Sequence, residues 1–342
     1  MAVETTLGED YAHLAKERIQ LTEATRILSE AEIKASVSTL TQKGILTARD
    51  ERLLEYLREL YVLSVHQTWR LLWGNSKKSK TAYNRMHQLA KFHLLQAVRS
   101  PFNEMRTWGL APSRVYSLGQ VGRWWLKHEV AEGFRFRYFK RNQVLHDLLV
   151  SELCLKMTEA VTGWQRRGWG LSWAGERSAS HYGPNPNEAP LIAPDGLARL
   201  THGGLDTPLS SFAFFIELDA SRQGHGRYRS EWGRKVVGYD QVYSSQWANH
   251  PELSDLNAVF PPVLVITHGA HRIRNLAESI AQKRKQAVIY YLSLWEDLCQ
   301  QPDPFTSPCW IVIPPDSKSP LGLEPKDRQV LLRLGAEPKG GR

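Results

Sequence analysis

The sequence predicts an α+β chain in two parts, a basic helical front and an α/β back built on a mixed sheet, and three observations predict it. From Ala48 to Glu132 apolar residues recur mostly at helical spacing, whereas from Trp164 onward β-rich runs alternate with helical ones. The stretch from Tyr61 to Asn103 holds no acidic residue. The most apolar run of the back part, FFIELDAS, ends on two carboxylates, Glu217 and Asp219. The expected boundaries are a helical extension at 1–47, a front domain at 48–132, a connecting helix at 133–163, an α/β domain at 164–315 and a tail at 316–342.

Composition bounds the function. The 342 residues suffice for two cores, and 42% hydrophobic with 23% charged residues is the balance of a globular protein. Apolar runs such as Pro261–Thr267 fall far short of the ~20 residues a membrane span needs, so no membrane partner is expected. The stretch MAVETTLGEDYAHLAKE lacks the apolar core of a secretory signal. Cys154, Cys299 and Cys309 form no CxxC pair, which argues against a zinc cluster or disulfide scaffold and suits a reducing cytoplasm. A net charge of +9 favours a polyanionic partner.

Helices are expected over Tyr11–Leu28 and Ala31–Lys43, for packing on the front domain or for homodimerisation. ARDERLLEYLRELYVL then puts Leu53, Leu54, Leu57, Leu60 and Tyr61 on one helical face. After a break at Ser64, SVHQTWRLLW gives a second helix, NSKKSK a polar turn, and SKTAYNRMHQLAKFHLL a third helix with Ala82, Met86 and Leu89 inward. LLQAVRS and RVYSLGQVG read as strands flanking a loop, and GRWWLKHEV returns to helix. Three helices followed by a hairpin are the order of a winged helix-turn-helix, whose third helix enters the DNA major groove. Lys80, Tyr83, Asn84, His87 and Lys91 supply its exposed face, and Lys77, Lys78 and Arg85 add phosphate-directed charge. A small helical bundle with a solvated basic face is the alternative. RFRYFKRNQ places Arg135, Arg137, Lys140 and Arg141 among aromatics, either as a DNA-facing linker or as the start of an amphipathic helix.

In the back part GLSWAGER is a short strand, APLIAPDGLARL a strand bent at Pro194-Asp195-Gly196, and SSFAFFIELDAS a long buried strand. SEWGRKVVGYDQVYSSQ is helical, PPVLVITHG a strand, IRNLAESIAQKRK a helix and CWIVIPPD a last strand. Tyr290-Tyr291 reads as core. Side chains alternate along a strand, so Glu217 and Asp219 share a face, where two like charges at a buried strand end call for a cation. Asp195 and Glu217 on adjacent strands, with the Leu218 carbonyl, form a hard oxygen set suited to Mg²⁺ or Mn²⁺. Lys235 on the following helix reaches the same place, to stabilise charge or orient a water. Pro-Asp-Gly alone is a common turn; its coupling to the acids and the lysine gives it meaning.

Acid, acid and lysine in this order resemble the PD-(D/E)xK nucleases, on PDG at Pro194–Gly196, ELD at Glu217–Asp219 and KVVGY at Lys235–Tyr239. The resemblance implies a restriction-endonuclease-like fold and metal-dependent cleavage of DNA by Asp195, Glu217 and Lys235. The usual lysine falls two residues after the acid. Here that position is Asp219, and Lys235 takes the variant place on the neighbouring helix. Asp219 is then a further metal ligand or a partner for Lys235, and Glu176 in WAGER an additional acid. From Arg49 to Lys285 the chain is also similar to the replication-relaxation family of plasmids and integrative mobile elements, through RDERLLEYLRELYVLSVHQTW, RMHQLAKFHLL, YSLGQVG, His146, WAGE, PDG, FFIELD and KVVGY in that order. This implies DNA processing in replication or transfer beside other mobile-element proteins. A non-catalytic accessory or regulatory factor is the rival, supported by Asp219 in the lysine's place. QGHGR at 223–227 lacks the P-loop order, and no His-x-His triplet supports tyrosine relaxase chemistry. His268 and His271 lack a third ligand and are expected at the surface or on phosphate.

Overall fold

The computed structural model describes residues 27–74, 79–126, 141–165, 168–183, 189–202, 211–220, 225–245, 247, 253, 259–315 and 319–332. The chain divides into two compact units, Met1–Ser151 and Glu152–Arg342, with the division inside a long helix.

In the first unit α1 (Glu30–Gln42) and α2 (Ala48–Leu60) each begin with a capping box, Ser29 with Glu32 and Thr47 with Asp50. The earlier helix expected over Tyr11–Leu28 lies outside the described residues as far as residue 26. Leu53, Leu54, Leu57 and Leu60 of α2 are buried at the spacing the sequence sets, each burial contributing roughly 1.5–3 kcal/mol. Tyr61, at a positive φ of 63°, ends the helix and leads into β1 (Val62–Ser64). α3 (Val65–Trp73) starts at a third capping box, Ser64 with Gln67, and α4 (Ser79–Lys91) buries Ala82, Met86 and Leu89 completely. β2 (Leu95–Val98), α5 (Phe102–Thr107) and β3 (Val115–Leu118) follow. β3 is the middle strand, antiparallel to both neighbours, with Tyr116 opposite Leu63 on one side and Ala97 on the other. α6 (Gln120–Trp125) and the first half of α7 (Arg141–Trp164) complete the unit. Gln67 Nε2 donates to the Leu148 carbonyl at 2.9 Å and Ser151 Oγ to that of Val62 at 2.7 Å. Neither β1 nor α5 is expected from the sequence. Both are too short to establish a period, and Val62–Ser64 becomes a strand because β3 offers it an edge.

The second unit is built on one mixed six-stranded sheet, in the order β4-β5-β6-β7-β8-β9. Its strands are β4 (Trp169–Gly175), β5 (Gly196–His202), β6 (Ser211–Asp219), β7 (Val263–Thr267), β8 (Tyr290–Leu294) and β9 (Ile311–Ile313), with the short α8 (Glu176–Ala179) after β4. β4, β5 and β6 are antiparallel, β6, β7 and β8 parallel, and β9 antiparallel. Each parallel step needs a crossover, supplied by α9 (His225–Ser244) and α10 (Ala270–Lys283). Two right-handed crossovers stepping the same way lie on one face of a sheet. Their Val236, Tyr239, Ile273, Leu276 and Ile280 share a core with Phe215, Val263, Val265, Tyr290 and Leu292. Residues 213–219 of β6 are buried on both faces, which accounts for the unbroken apolar run before its acids. β8 and α11 (Trp295–Gln300) add to the elements read from sequence, and Tyr290 is buried in the core as expected. Among the described residues no helix is long and apolar enough to cross a membrane.

Candidate active site

Strand register brings three acids to one level. Gly175 on β4 pairs with Gly196 on β5, and Gly196 with Ile216 on β6. One step beyond these residues stand Glu176, Asp195 and Glu217. Asp195 is tied at the bend: its N–H donates to the Ile216 carbonyl at 2.9 Å, and its Oδ2 accepts from the Leu218 N–H at 2.6 Å. The carboxylate therefore lies against the backbone that carries Glu217. A Cβ at Gly196 would lie 2.4 Å from the Trp173 indole, so a larger residue there would have to displace that ring.

Glu217 is 1% exposed, and α9 supplies two partners to it from one face. The Lys235 ammonium donates to Oε2, and the Tyr239 hydroxyl to Oε1 at 2.9 Å. Residues four apart on a helix sit one above the other, so a single helix can hold both oxygens. Trp232, one turn earlier, lies 5.2 Å beneath the Lys235 ammonium. Asp195, Glu217 and Lys235 thus meet at one strand end.

The electrostatics follow from burial. Loss of water pushes the Glu217 carboxyl up to about 7; the Lys235 charge pulls it down, and the Asp195 charge pushes it up again. Burial, then the charge of Glu217, drives the Tyr239 hydroxyl well above its ordinary range, so it remains a donor. An unfolded chain releases the Glu217 proton near 4.5, so the folded state holds an extra proton from there up to about 7. The cost of the buried charge is absent below that window, grows through it and is complete above it. Glu217→Gln is therefore expected to raise the melting temperature relative to wild type at about pH 8, with the gain vanishing near pH 4. Thermal melts across this range check it, and a difference independent of pH would contradict it.

Asp219 shares the face but has other partners. Arg272 Nε and Nη2 donate to its two oxygens, each at 2.6 Å, and Thr267 Oγ1 adds a bond at 3.0 Å. Two roles were open for Asp219, metal ligand or partner of Lys235; Lys235 pairs with Glu217, and Arg272 is a cation partner of Asp219. The reason is position: Asp219 lies level with the end of β7, where α10 begins.

The donors around Asp195, Glu217 and the Leu218 carbonyl are all oxygen, which suits Mg²⁺ or Mn²⁺ rather than zinc. A carboxylate offers about four lone-pair sites, and the bonds from Lys235 and Tyr239 engage one on each Glu217 oxygen. The residues fit a hard cation held by two carboxylates, with water completing its shell. Among the described residues no group of three or more His, Cys, Asp or Glu is disposed to hold a metal. His268 pairs with Glu296, and His271 meets Asn275 at 3.1 Å. His146 lies 3.4 Å from its neighbour Asp147.

On α4, Lys80, Asn84 and Lys91 are exposed, while Tyr83 and His87 are half-buried and stack at 6.2 Å. The Arg114 guanidinium lies 5.6 Å from the Tyr83 ring centre, a basic neighbour the sequence reading did not assign. Arg85 turns inward instead of toward a phosphate: its Nε and Nη2 donate to Asp50, which is 2% exposed, at 2.9 and 2.6 Å. Burial pushes the Asp50 carboxyl up, but the bonds from Arg85 and Thr47 outweigh it and leave it below its usual value. Lys77, Lys78, Arg135, Arg137 and Lys140 lie outside the described residues, as does the Arg141 side chain at the start of α7.

A family model described as replication-relaxation matches residues 54–253, more than half of the chain. The chain belongs to the replication-relaxation family. The match spans Glu176, Asp195, Glu217, Lys235 and Tyr239 and ends before β7, so Arg272 lies beyond the shared segment of this replication-relaxation protein. No curated protein matches the chain. Two solved structures show a weak likeness. The restriction endonuclease FokI is 12% identical, with 69% of this chain and 40% of that chain covered and a TM-score of 0.20. The same enzyme bound to DNA gives 12%, 80%, 45% and 0.20. The chain thus spans less than half the length of the FokI chains it matches.

Proposed function

We propose that this replication-relaxation protein binds DNA and cuts its phosphodiester bonds with the help of a divalent metal, in the replication or transfer of a mobile element. The observation that carries the reading is the meeting of Asp195, Glu217 and Lys235 at one strand end. Bound there, Mg²⁺ or Mn²⁺ would polarise the phosphodiester and lower the pKa of an attacking water. Asp195 and Glu217 would hold the ion beside the Leu218 carbonyl, with Glu176 at the same level as a further acid. The Lys235 side chain is 31% exposed beside a buried partner, which supports a role for its ammonium at a phosphoryl oxygen. We read the first unit as a winged helix-turn-helix: α2, α3 and α4, then β2 and β3, with β1 closing the sheet. Lys80, Asn84 and Lys91 then face the groove, with Lys77, Lys78, Arg135, Arg137, Lys140 and Arg141 as further phosphate contacts.

Incubation with supercoiled and branched DNA plus Mg²⁺ or Mn²⁺ tests the reading. Wild type is expected to nick or cut, and Asp195→Ala and Lys235→Met to lose at least ~100-fold in rate. DNA left equally intact by wild type and Asp195→Ala would overturn it. One observation favours a second reading, a non-catalytic accessory factor: the oxygens of Glu217 and Asp219 are already met by protein donors. That reading predicts DNA binding that falls steeply with salt and is indifferent to EDTA.

A further inference from the structure

We infer that Tyr239 is a positioning residue of the candidate metal site, whose buried hydroxyl fixes the rotation of the Glu217 carboxylate so that its remaining lone pairs face Asp195. The inference rests on the metal-site reading above and deepens it. Three observations carry it. The hydroxyl donates to Glu217 Oε1 at 2.9 Å, leaving that oxygen a fixed direction. The ring cannot follow a moving carboxylate, since it is fully buried between Phe215, with centroids 5.5 Å apart, and Tyr290, at 6.2 Å and nearly perpendicular. Lys235 grips the other oxygen from a flexible, partly exposed stem, so of the two contacts on Glu217 the tyrosine is the rigid one. A carboxylate held at one oxygen alone rotates about its last bond, and an ion bound by two carboxylates loses one of them when it does. Groups that orient metal ligands are typically worth about 10–100-fold in affinity.

Tyr290 provides the control. It is equally buried against Tyr239, and among the described residues its hydroxyl has no hydrogen-bond partner. Tyr239→Phe and Tyr290→Phe each remove one hydroxyl from the same core. Titration of the full-length protein with Mn²⁺, followed by the paramagnetic signal of the free ion, is expected to show binding weakened by about 10–100-fold in Tyr239→Phe and unchanged in Tyr290→Phe. DNA cleavage by Tyr239→Phe is expected to fall at limiting Mn²⁺ and to recover when the ion is raised to saturation, which a loss of fold would not do. Wild-type binding retained in Tyr239→Phe, or equal loss in both variants, overturns the positioning role while the site stands. No Mn²⁺ binding by wild type overturns the metal-site reading, and the positioning role with it.

Discussion

Arg85→Met is expected to destabilise the first unit by about 3–5 kcal/mol, the range found when a buried ion pair loses one partner. Asp50 is the third residue of α2 and already serves its capping box, accepting from the Thr47 N–H at 2.8 Å and the Thr47 hydroxyl at 2.7 Å. Arg85 brings a two-pronged grip from α4, and its Nη2 also reaches the Ile45 carbonyl at 2.9 Å. One carboxylate thus ties the start of α2 to the middle of α4. Without the guanidinium the charge stays buried, and either it is tolerated at high cost or it takes up a proton. The carboxyl sits below its ordinary value in the native state, so the pair stabilises above about pH 4 and that contribution fades as acid protonates Asp50. The deficit of Arg85→Met is therefore expected in full near pH 7 and reduced in acid. Denaturant unfolding at the two pH values measures it. Asp50→Asn, which removes the charge to be neutralised, should shrink the effect of Arg85→Met when the two are combined. A variant of wild-type stability with weakened DNA affinity would instead return Arg85 to the phosphate-contacting set.

Local sequence does not reveal the partner of Arg85. Its helix lies in a window with no acidic residue, so every base there looks available; its partner lies 35 residues earlier, outside the window. Periodicity says which face of α4 is buried, not which charge is buried with it. The pairing of Asp219 with Arg272 spans 53 residues and depends on the parallel alignment of β6 with β7, which no local pattern encodes. Other parts were legible because they rest on short-range rules. The leucines of α2 report a helical face, and the alternation along FFIELD puts its two acids on one side. Lys235 stands out as a cation on the helix that must cross over from β6. Tyr239, one turn beyond it, is apolar enough to pass for core. Its spacing from Lys235 was the available signal, and it acquires meaning once both are known to meet Glu217.

Gly238→Ala is expected to cost about 1–3 kcal/mol, the size of an overpacked contact, although alanine is the better helix former by ~1 kcal/mol. A Cβ at 238 would lie 2.3 Å from the Leu191 carbonyl oxygen and 3.0 Å from Ile192 Cγ2. That strap cannot easily give way, because the His181 N–H donates to the Ile192 carbonyl at 3.0 Å and the Leu191 N–H to the His181 carbonyl at 2.8 Å. The helix has to move instead. Lys235 and Tyr239 flank position 238 and reach Glu217 through hydrogen bonds that weaken within a few tenths of an ångström, so a displaced α9 loosens both grips on a buried carboxylate. Gly233 on the same helix is the comparison: a Cβ there would meet the end of the Lys283 side chain at 2.9 Å, and that ammonium can swing away. Gly233→Ala is therefore expected to be neutral or to gain up to ~1 kcal/mol. Urea unfolding of the two variants side by side decides the matter. Equal stability would mean that α9 is not held against the 191–192 strap, and that the glycine of KVVGY sets nothing about the reach of Lys235 and Tyr239.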